Sequence, residues 1–244
     1  MASSASFVRK RLERLGRRLG GGLLDVLYPP RCLSCNARTP PEGDPLCAAC
    51  LAGLERVRPE AVRRRLAERP EAEDVFDGAL ALWRFDPDGA LRAFQHALKY
   101  RNRPRYGVAA GQWLGQALGD TLPHGGASVA AVAPVPLHRA RRLERGYNQS
   151  TMLARGVARR LDTPCRPDLL VRTRATRSQT HLARRARWKN VAGAFDAAHA
   201  PPTDGPLLLV DDVLTTGATA TAAAQALRRA GAARVQLATL ALAG

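Results

Sequence analysis

The segment LLLVDDVLTTGAT, residues 207–219, constrains the fold of this chain more than any other stretch. Four consecutive apolar residues at 207–210 follow the turn-forming run PPTDGP, and this pattern predicts a strand buried on both faces. The residues that follow are too polar to continue the strand, so we expect it to end at Asp211. The alanine-rich run GATATAAAQALRRAG then predicts a helix. A strand, a loop and a helix in this order are typical of an α/β fold with a parallel sheet.

The loop of this unit predicts a phosphate site. A helix N-terminus offers unpaired backbone N–H groups and positive dipole character, hydroxyl groups add donors, and a glycine lets an anion approach the backbone closely. The candidate phosphate ligands are Thr215, Thr216, Gly217, Ala218 and Thr219. The neighbouring carboxylates of Asp211 and Asp212 would repel a phosphate, but they suit hydroxyl groups or a divalent metal ion. A phosphate beside vicinal hydroxyl groups indicates ribose 5-phosphate.

The complete motif is more specific than its parts. The acid pair alone is as compatible with a turn and a helix cap as with a binding site. The order of apolar strand, acid pair, two residues and TTGAT resembles the signature of type I phosphoribosyltransferases. The resemblance implies that Asp211 and Asp212 are catalytic acids that contact the ribose of phosphoribosyl pyrophosphate (PRPP), which binds with Mg2+. It also implies that the TTGAT residues hold the 5-phosphate.

Four cysteines near the N-terminus predict a second, smaller unit. Two CxxC pairs are separated by eleven residues, a spacing typical of a zinc ribbon in which each pair supplies two thiolates to one tetrahedral Zn2+. The four are Cys32, Cys35, Cys47 and Cys50. Four thiolates leave no open coordination position, so we expect a structural site. Disulfides are the alternative, but the sequence shows no secretory signal, which favours a reducing, cytoplasmic compartment.

Length and charge limit the possible architectures and partners. The 244 residues allow one domain of roughly 150–200 residues and a small additional unit. The formal charge of +17 favours phosphate-rich partners such as nucleotides or nucleic acid, although an arginine and alanine excess is also typical of GC-rich genomes. No apolar run is long enough to predict a transmembrane helix. We predict a basic helix at 1–27, a zinc ribbon at 28–54, a solvated helical connector at 55–75 and a phosphoribosyltransferase-like domain at 76–244.

The 76–244 region predicts further basic ligands. We expect a strand at about 79–85, a helix capped by Asp88 that ends near Lys99, a second helix at 106–118, the first strand of the parallel sheet at 129–133 and a helix at 148–161. Ligands of open parallel sheets bind beyond the carboxyl ends of the strands. The arginine-rich loop after residue 135 should therefore face the acid pair. Its candidates for a pyrophosphate are Arg139, Arg142 and Arg145, which are as compatible with a solvated basic face. Lys99 is either a plain helix C-terminal charge or a phosphate ligand.

The segment 172–189 is too basic to be buried, so we expect it to lie on the surface, to be mobile, or to be ordered by an anion. It follows a short predicted strand at 169–171. A flexible lid over the active site and a contact strip for nucleic acid are both compatible with its composition. A final apolar strand, RVQLATLALA, completes the predicted sheet.

Several motifs in order resemble the ComF family. They are the four cysteines, LKY at 98–100, VPLHRARRLERGYNQ at 135–149, LLLVDDVLTTGAT, and the spaced set Arg174, Thr176, Gln179, Leu182, Arg187, Asn190 and Phe195. The resemblance implies a type I phosphoribosyltransferase fold, a parallel sheet flanked by helices, with a small N-terminal zinc ribbon. It also implies a pyrophosphate-side or lid role for Arg174, Gln179, Arg187 and Asn190. The sequence departs from the usual pattern at Tyr147, where phenylalanine is common, and at Asn102, where glycine often follows the LKY motif.

Two functions remain open from the sequence. The family is associated with DNA uptake during natural competence, and its members are often labelled predicted amidophosphoribosyltransferases. We expect no transfer of ammonia from glutamine, because the sequence contains no glutaminase domain. The first hypothesis is a phosphoribosyltransferase that uses PRPP and an unidentified nitrogen nucleophile. The second is a catalytically silent accessory protein that binds single-stranded DNA or a helicase-like partner.

Overall fold

The computed structural model describes residues 29–40, 44–68, 70–72, 74–121, 129–174, 191 and 193–244. The predicted basic helix at 1–27 lies outside the described residues. So do Gln179, Arg187 and Asn190 of the predicted lid. Among the described residues, no helix has the length and apolar character needed to cross a membrane.

The described elements alternate between helices and strands along most of the chain. The helices are α1 (Ala48–Ala52), α2 (Pro59–Ala67), α3 (Ala90–Tyr100), α4 (Pro104–Thr121), α5 (Arg139–Arg145), α6 (Gln149–Leu161) and α7 (Ala218–Arg229), with a 3-10 turn at Pro70–Ala72. The strands are β1 (Gly78–Arg84), β2 (Ala131–Pro134), β3 (Leu170–Arg172), β4 (Phe195–Ala197), β5 (Leu207–Leu214) and β6 (Val235–Leu242).

The main sheet has four parallel strands in the order β1-β6-β5-β2. Leu207 and Leu209 of β5 belong to one hydrophobic core, which also contains α2 and α7. Leu208 and Val210 belong to a second core on the opposite face, formed with α3, α4 and α6. Because successive strand residues point to opposite faces, both faces of β5 are covered. The prediction of a parallel sheet flanked by helices, with a doubly buried strand at 207–210, is confirmed.

The end of β5 differs from the prediction. The strand continues through Asp211 to Leu214, because β6 remains paired beside it as far as Leu214 opposite Leu242. On the other side, β2 stops at Pro134 opposite Val210. The hydrogen bonds to β6 satisfy the backbone, so the polar sequence does not end the strand. The two acids therefore lie on the part of β5 that extends past β2.

Three other predicted elements need correction. The first strand of the sheet is β1 rather than the segment at 129–133, since β1 pairs in parallel with β6. Helix α3 has Gly89 rather than Asp88 as its N-cap and has no side-chain cap, and the backbone N–H of Asp88 bonds to Asp86 Oδ1 at 2.9 Å. The arginine-rich loop is helical over α5, whose first turn is capped by Nδ1 of His138. A small antiparallel sheet of β3 and β4 lies apart from the main sheet, and β4 was not predicted.

The predicted solvated connector is solvated on one face only. Helix α2 buries Val62 and Leu66 in the core that contains α7. Upstream of it, Arg56 forms an isolated bridge with Trp83 and places its guanidinium 5.5 Å from the centre of that indole ring. The apolar residues at helical spacing decide the packing despite the many charges around them. This segment is thus part of the main domain.

Helices α4 and α6 are in contact through glycine. A methyl carbon at Gly111 would overlap the carbonyl oxygen of Leu153, and one at Gly156 would overlap that of Val108. The two backbones therefore approach more closely than any side chain at these positions permits. This contact fixes helix α6, and with it the residues at its start, relative to the sheet.

Candidate active site at the carboxyl edge of the sheet

The two acids of β5 are held by different helices. Asp211 Oδ1 accepts hydrogen bonds from Ser150 Oγ and from the backbone N–H of Asp212, both at 2.9 Å. Asp212 Oδ1 accepts from the backbone N–H of Val213 at 2.9 Å, and its Oδ2 lies 3.6 Å from Lys99 Nζ. The structure thus brings Lys99 of α3 to the predicted acid pair.

The environment of Asp211 favours its protonated form. Burial raises its pKa, the adjacent charge of Asp212 raises it further, and the value reaches about 7 although Ser150 and Arg172 act in the opposite direction. The Asp211 carboxyl therefore keeps its proton to a higher pH than an isolated aspartate does. Such a pair can accept hydrogen bonds from hydroxyl groups, and a cation would favour its full ionisation.

Ser150 was not predicted as a site residue, and its position follows from a helix cap. Asn148 is the N-cap of α6, and its side chain accepts from the backbone N–H of Ser150 at 3.1 Å. The side-chain Nδ2 of Asn148 donates to the carbonyl of Val135 at 2.9 Å, and Val135 directly follows β2. The start of α6 is thereby fixed next to β5. An asparagine at the start of a predicted helix was the available signal.

A second set of contacts positions Lys99. The carbonyl of the preceding residue, Leu98, accepts hydrogen bonds from Tyr147 Oη and, at 3.4 Å, from Gln149 Nε2. Phenylalanine at position 147 would lack this donor. Asn102 has φ +45°, a left-handed conformation that glycine adopts freely and that asparagine tolerates better than most residues. Both departures from the family pattern are therefore compatible with the local geometry.

The TTGAT segment, residues 215–219, connects β5 to α7 in a tight turn. Gly217 is the N-cap of α7 with φ +82°, and a methyl carbon there would lie 3.2 Å from Leu66 Cδ2. Thr216 is buried, and its Oγ1 accepts from the backbone N–H of Ala218 at 3.4 Å. The segment thus presents the start of a twelve-residue helix immediately after the acid pair. Its N–H groups and dipole suit an anion.

Arg65 of α2 contacts this turn and was not predicted. Its guanidinium donates a short hydrogen bond to the carbonyl of Thr215 and another, at 2.6 Å, to the carbonyl of Ala243. Arg65 is one of three consecutive arginines in α2, so the sequence does not distinguish it from its neighbours. Its helical spacing from Val62, three residues earlier on the buried face, was the signal that could have distinguished it.

The three predicted pyrophosphate arginines do not all line the same crevice. A crevice of about 770 Å³ lies between α5, the start of α6 and β3. Its polar lining includes Arg139, Arg142, Tyr147, Asn148, Arg155 and Arg172. Arg145 instead donates to Gln149 Oε1 at 3.0 Å, and Arg174 is exposed beyond β3. Two of the three predicted arginines therefore line the crevice.

Arg172 is the one described residue of the predicted surface segment 172–189 that is not exposed, since Thr173 and Arg174 are exposed and 175–189 lie outside the described residues. It is partly buried, and its guanidinium lies 5.1 Å from the centre of the Phe195 ring. Burial lowers the pKa of Arg172, while the nearby charge of Asp211 raises it. The aromatic face and the acid compensate for lost hydration.

The four cysteines form one cluster. Their sulfur atoms all lie within 4.8 Å of one another, and those of Cys35 and Cys47 are 3.6 Å apart. Tetrahedral zinc with Zn–S bonds of about 2.3 Å places its sulfurs at roughly this spacing. Burial raises the pKa of Cys32, but backbone hydrogen bonds of Cys35 and Cys47 outweigh it and lower the pKa. Hydrogen bonding with Cys35 instead raises the pKa of Cys50, so in the absence of a metal ion the cluster favours a thiolate at Cys32 and a thiol at Cys50. The arrangement fits a structural Zn2+.

Two domain families match separate parts of this chain. Residues 23–70 match the model of the double zinc ribbon domain, and residues 148–244 match that of the phosphoribosyl transferase domain. The DNA utilization protein YhgH of Salmonella typhimurium is 31% identical over 199 residues, which cover 79% of this chain and 82% of that protein. Competence protein F of Haemophilus influenzae is 36% identical over 110 residues, covering 44% of this chain and 48%, about half, of that protein.

A solved structure of an allosteric regulatory enzyme of purine biosynthesis covers 59% of this chain and 29% of its own, with 19% identity and a TM-score of 0.40. A similarity this low carries no argument about the site. The family follows instead from the extended YhgH match and from the order of the two matched domains. With a zinc ribbon joined to a phosphoribosyltransferase domain, this chain belongs to the ComF family.

Proposed function

We propose that this protein binds PRPP with Mg2+ at the carboxyl edge of the sheet and transfers its phosphoribosyl group to a nitrogen nucleophile. One observation carries the proposal: the acid pair on β5 is followed, three residues after Asp212, by the turn that begins α7. Carboxylates next to a helix N-terminus can bind the ribose hydroxyl groups and the 5-phosphate of one ligand.

Each group has a role that its position supports. Asp211 and Asp212 accept hydrogen bonds from the ribose hydroxyl groups, and the TTGAT segment binds the 5-phosphate. Arg139 and Arg142, which line the crevice, stabilise the pyrophosphate. The nitrogen forms a bond to the anomeric carbon as the bond to the pyrophosphate oxygen breaks, and the electron pair leaves with the pyrophosphate. Catalysis then depends on positioning and on stabilising the leaving charge.

The acid pair also fits a magnesium ion that arrives with the substrate. Carboxylate oxygens are preferred Mg2+ ligands, and a bound cation would oppose the rise in the pKa of Asp211 that burial and the adjacent charge of Asp212 cause. When bound, Mg2+ would neutralise part of the diphosphate charge. Lys99, 3.6 Å from Asp212, supplies a protein cation on the same edge.

Calorimetric titration of the zinc-loaded protein with PRPP tests this proposal. We expect Mg2+-dependent binding with a dissociation constant on the order of micromolar. The variant with Asp211→Asn and Asp212→Asn should lose it, whereas Asp196→Asn, an exposed acid on β4, should retain it. Absence of binding to the wild-type protein, or equal binding to the double variant, would refute the proposed site. Nucleobases and amines can then be screened for pyrophosphate release.

A second candidate function is a role in DNA uptake through single-stranded DNA or a helicase-like partner. The names of the two relatives and the arginine lining of the crevice favour it. Helix α5 also presents Leu143, whose side chain is 74% exposed, among its arginines. Basic side chains that contact phosphates give binding that weakens steeply with salt.

A charge-reversal variant separates the two functions. Arg139→Glu with Arg142→Glu should weaken binding of a labelled single-stranded oligonucleotide and reduce its salt dependence if the crevice contacts DNA. The double asparagine variant of the acid pair should leave that binding intact. Oligonucleotide binding that is unchanged by charge reversal at every salt concentration would exclude this DNA contact and direct the search to a protein partner.

A further inference from the structure

Arg65 connects three segments that meet at the carboxyl edge of the sheet. Thr215 follows directly after β5, and Ala243 follows directly after β6. The Arg65 guanidinium donates to both carbonyls, and the backbone N–H of Ala243 bonds to the carbonyl of Leu214 at 2.9 Å. Only 13% of the Arg65 side chain is exposed, and its Nε lies 3.5 Å from Glu68 Oε1. A buried guanidinium with fixed acceptors is a rigid contact rather than a solvated charge.

The hydrogen bond to Thr215 determines which way the turn presents its donors. In a planar trans peptide, the carbonyl of one residue and the N–H of the next point in opposite directions. Because Arg65 holds the Thr215 carbonyl on the α2 side, the N–H of Thr216 points away from α2. The next residue of α2, Leu66, lies against Gly217. Two successive residues of α2 therefore contact the turn, Arg65 at Thr215 and Leu66 at Gly217.

We propose that Arg65 is a positioning residue of the TTGAT segment, which holds the segment in the conformation that binds a 5-phosphate. This inference rests on the proposed function for the identity of the ligand. The match to the double zinc ribbon model spans residues 23–70 and so includes Arg65. The match thus extends past the four cysteines into α2, a helix that packs in the core of the main domain and contacts the TTGAT segment through Arg65.

The test compares Arg65→Met with Arg64→Met, an exposed arginine of the same helix. Ribose 5-phosphate and magnesium pyrophosphate serve as probes for the two halves of PRPP. We expect Arg65→Met to weaken ribose 5-phosphate binding at least about tenfold and to leave magnesium pyrophosphate binding within about twofold. Arg64→Met should change neither. A general structural defect would weaken both ligands, so an equal loss of both would overturn the proposal.

A conservative variant separates charge from geometry. Arg65→Lys keeps the positive charge but replaces the planar guanidinium, whose Nη1 donates to both carbonyls, with an ammonium group on a more flexible stem. We expect ribose 5-phosphate affinity between those of the wild type and Arg65→Met. Wild-type affinity in Arg65→Lys would show that charge alone suffices and would refute the positioning role.

Hydrogen exchange distinguishes failure of this inference from failure of the proposed function. Without ligand, the amides of residues 216–219 should exchange at least about tenfold faster in Arg65→Met than in Arg64→Met, with those of β2 unchanged. If the wild-type protein binds neither PRPP nor ribose 5-phosphate, the proposed function fails, while faster exchange at 216–219 still supports the role of Arg65 in positioning. Equal exchange in the two variants overturns that role.

Discussion

Asp211→Asn should stabilise the ligand-free protein and do so in a pH-dependent way. The side chain is isosteric, and its amide oxygen can still accept from Ser150 and from the backbone N–H of Asp212. Burial and the Asp212 charge raise the pKa of Asp211 from 3.8 to about 7 in the folded protein. A carboxyl whose folded pKa is raised lowers stability as pH rises from the unfolded value through the folded value.

The pKa difference sets the size of the effect. At 1.36 kcal/mol per pH unit it corresponds to roughly 4 kcal/mol as an upper limit. Water penetration and side-chain relaxation reduce such values in real proteins, so we expect a gain of about 1–2 kcal/mol at pH 8. At pH 4 the gain should be small, because there the carboxyl is protonated in the folded protein and still partly protonated in the unfolded chain, whose pKa is 3.8.

Urea unfolding in magnesium-free buffer between pH 4 and pH 8 measures the difference in stability between Asp211→Asn and the wild type. Zinc-ribbon titration affects the wild type and the variant equally, so it cancels in the comparison. Asp196→Asn, at an exposed site, should stay within about 0.5 kcal/mol of wild type. Lower stability of Asp211→Asn at pH 8, or a difference that does not change with pH, would refute the reasoning. With Mg2+ and PRPP added, the wild type should be more stable than Asp211→Asn, since ligand binding stabilises the wild type more.

Three further substitutions test separate parts of the structure. Gly156→Ala should destabilise the protein by about 2 kcal/mol or more in urea unfolding, because its methyl carbon would overlap the Val108 carbonyl. A loss of stability under about 0.5 kcal/mol would show that helices α4 and α6 separate easily. Cys47→Ala should reduce bound zinc to well below about one ion per chain by elemental analysis, and unchanged zinc content would contradict a four-thiolate site. Tyr147→Phe should cost about 1 kcal/mol in thermal unfolding by removing the donor to the Leu98 carbonyl, and an unchanged midpoint would mean that this hydrogen bond adds no net stability.

The sequence alone was sufficient wherever a local pattern has one physical solution. Four apolar residues before the acid pair require a strand with both faces covered, and the structure places Leu207 and Leu208 in opposite cores. The CxxC spacing favoured four sulfurs at one point, and Cys32, Cys35, Cys47 and Cys50 cluster in that way. In both cases neighbours along the chain determine the result, so no knowledge of distant segments was needed.

Tertiary structure decided the features that depend on distant segments. Strand β5 continues through its polar residues because β6 supplies hydrogen-bond partners, and Arg172 is partly buried, with its guanidinium over the Phe195 ring and near the charge of Asp211. Arg65 resembles the other arginines of its helix in sequence, yet it alone reaches the carbonyl of Thr215, 150 residues away, among the hydrogen bonds of the described residues. A charged side chain has the same local signature whether it is solvated or buried. Its role is determined by the acceptors that the fold brings to it.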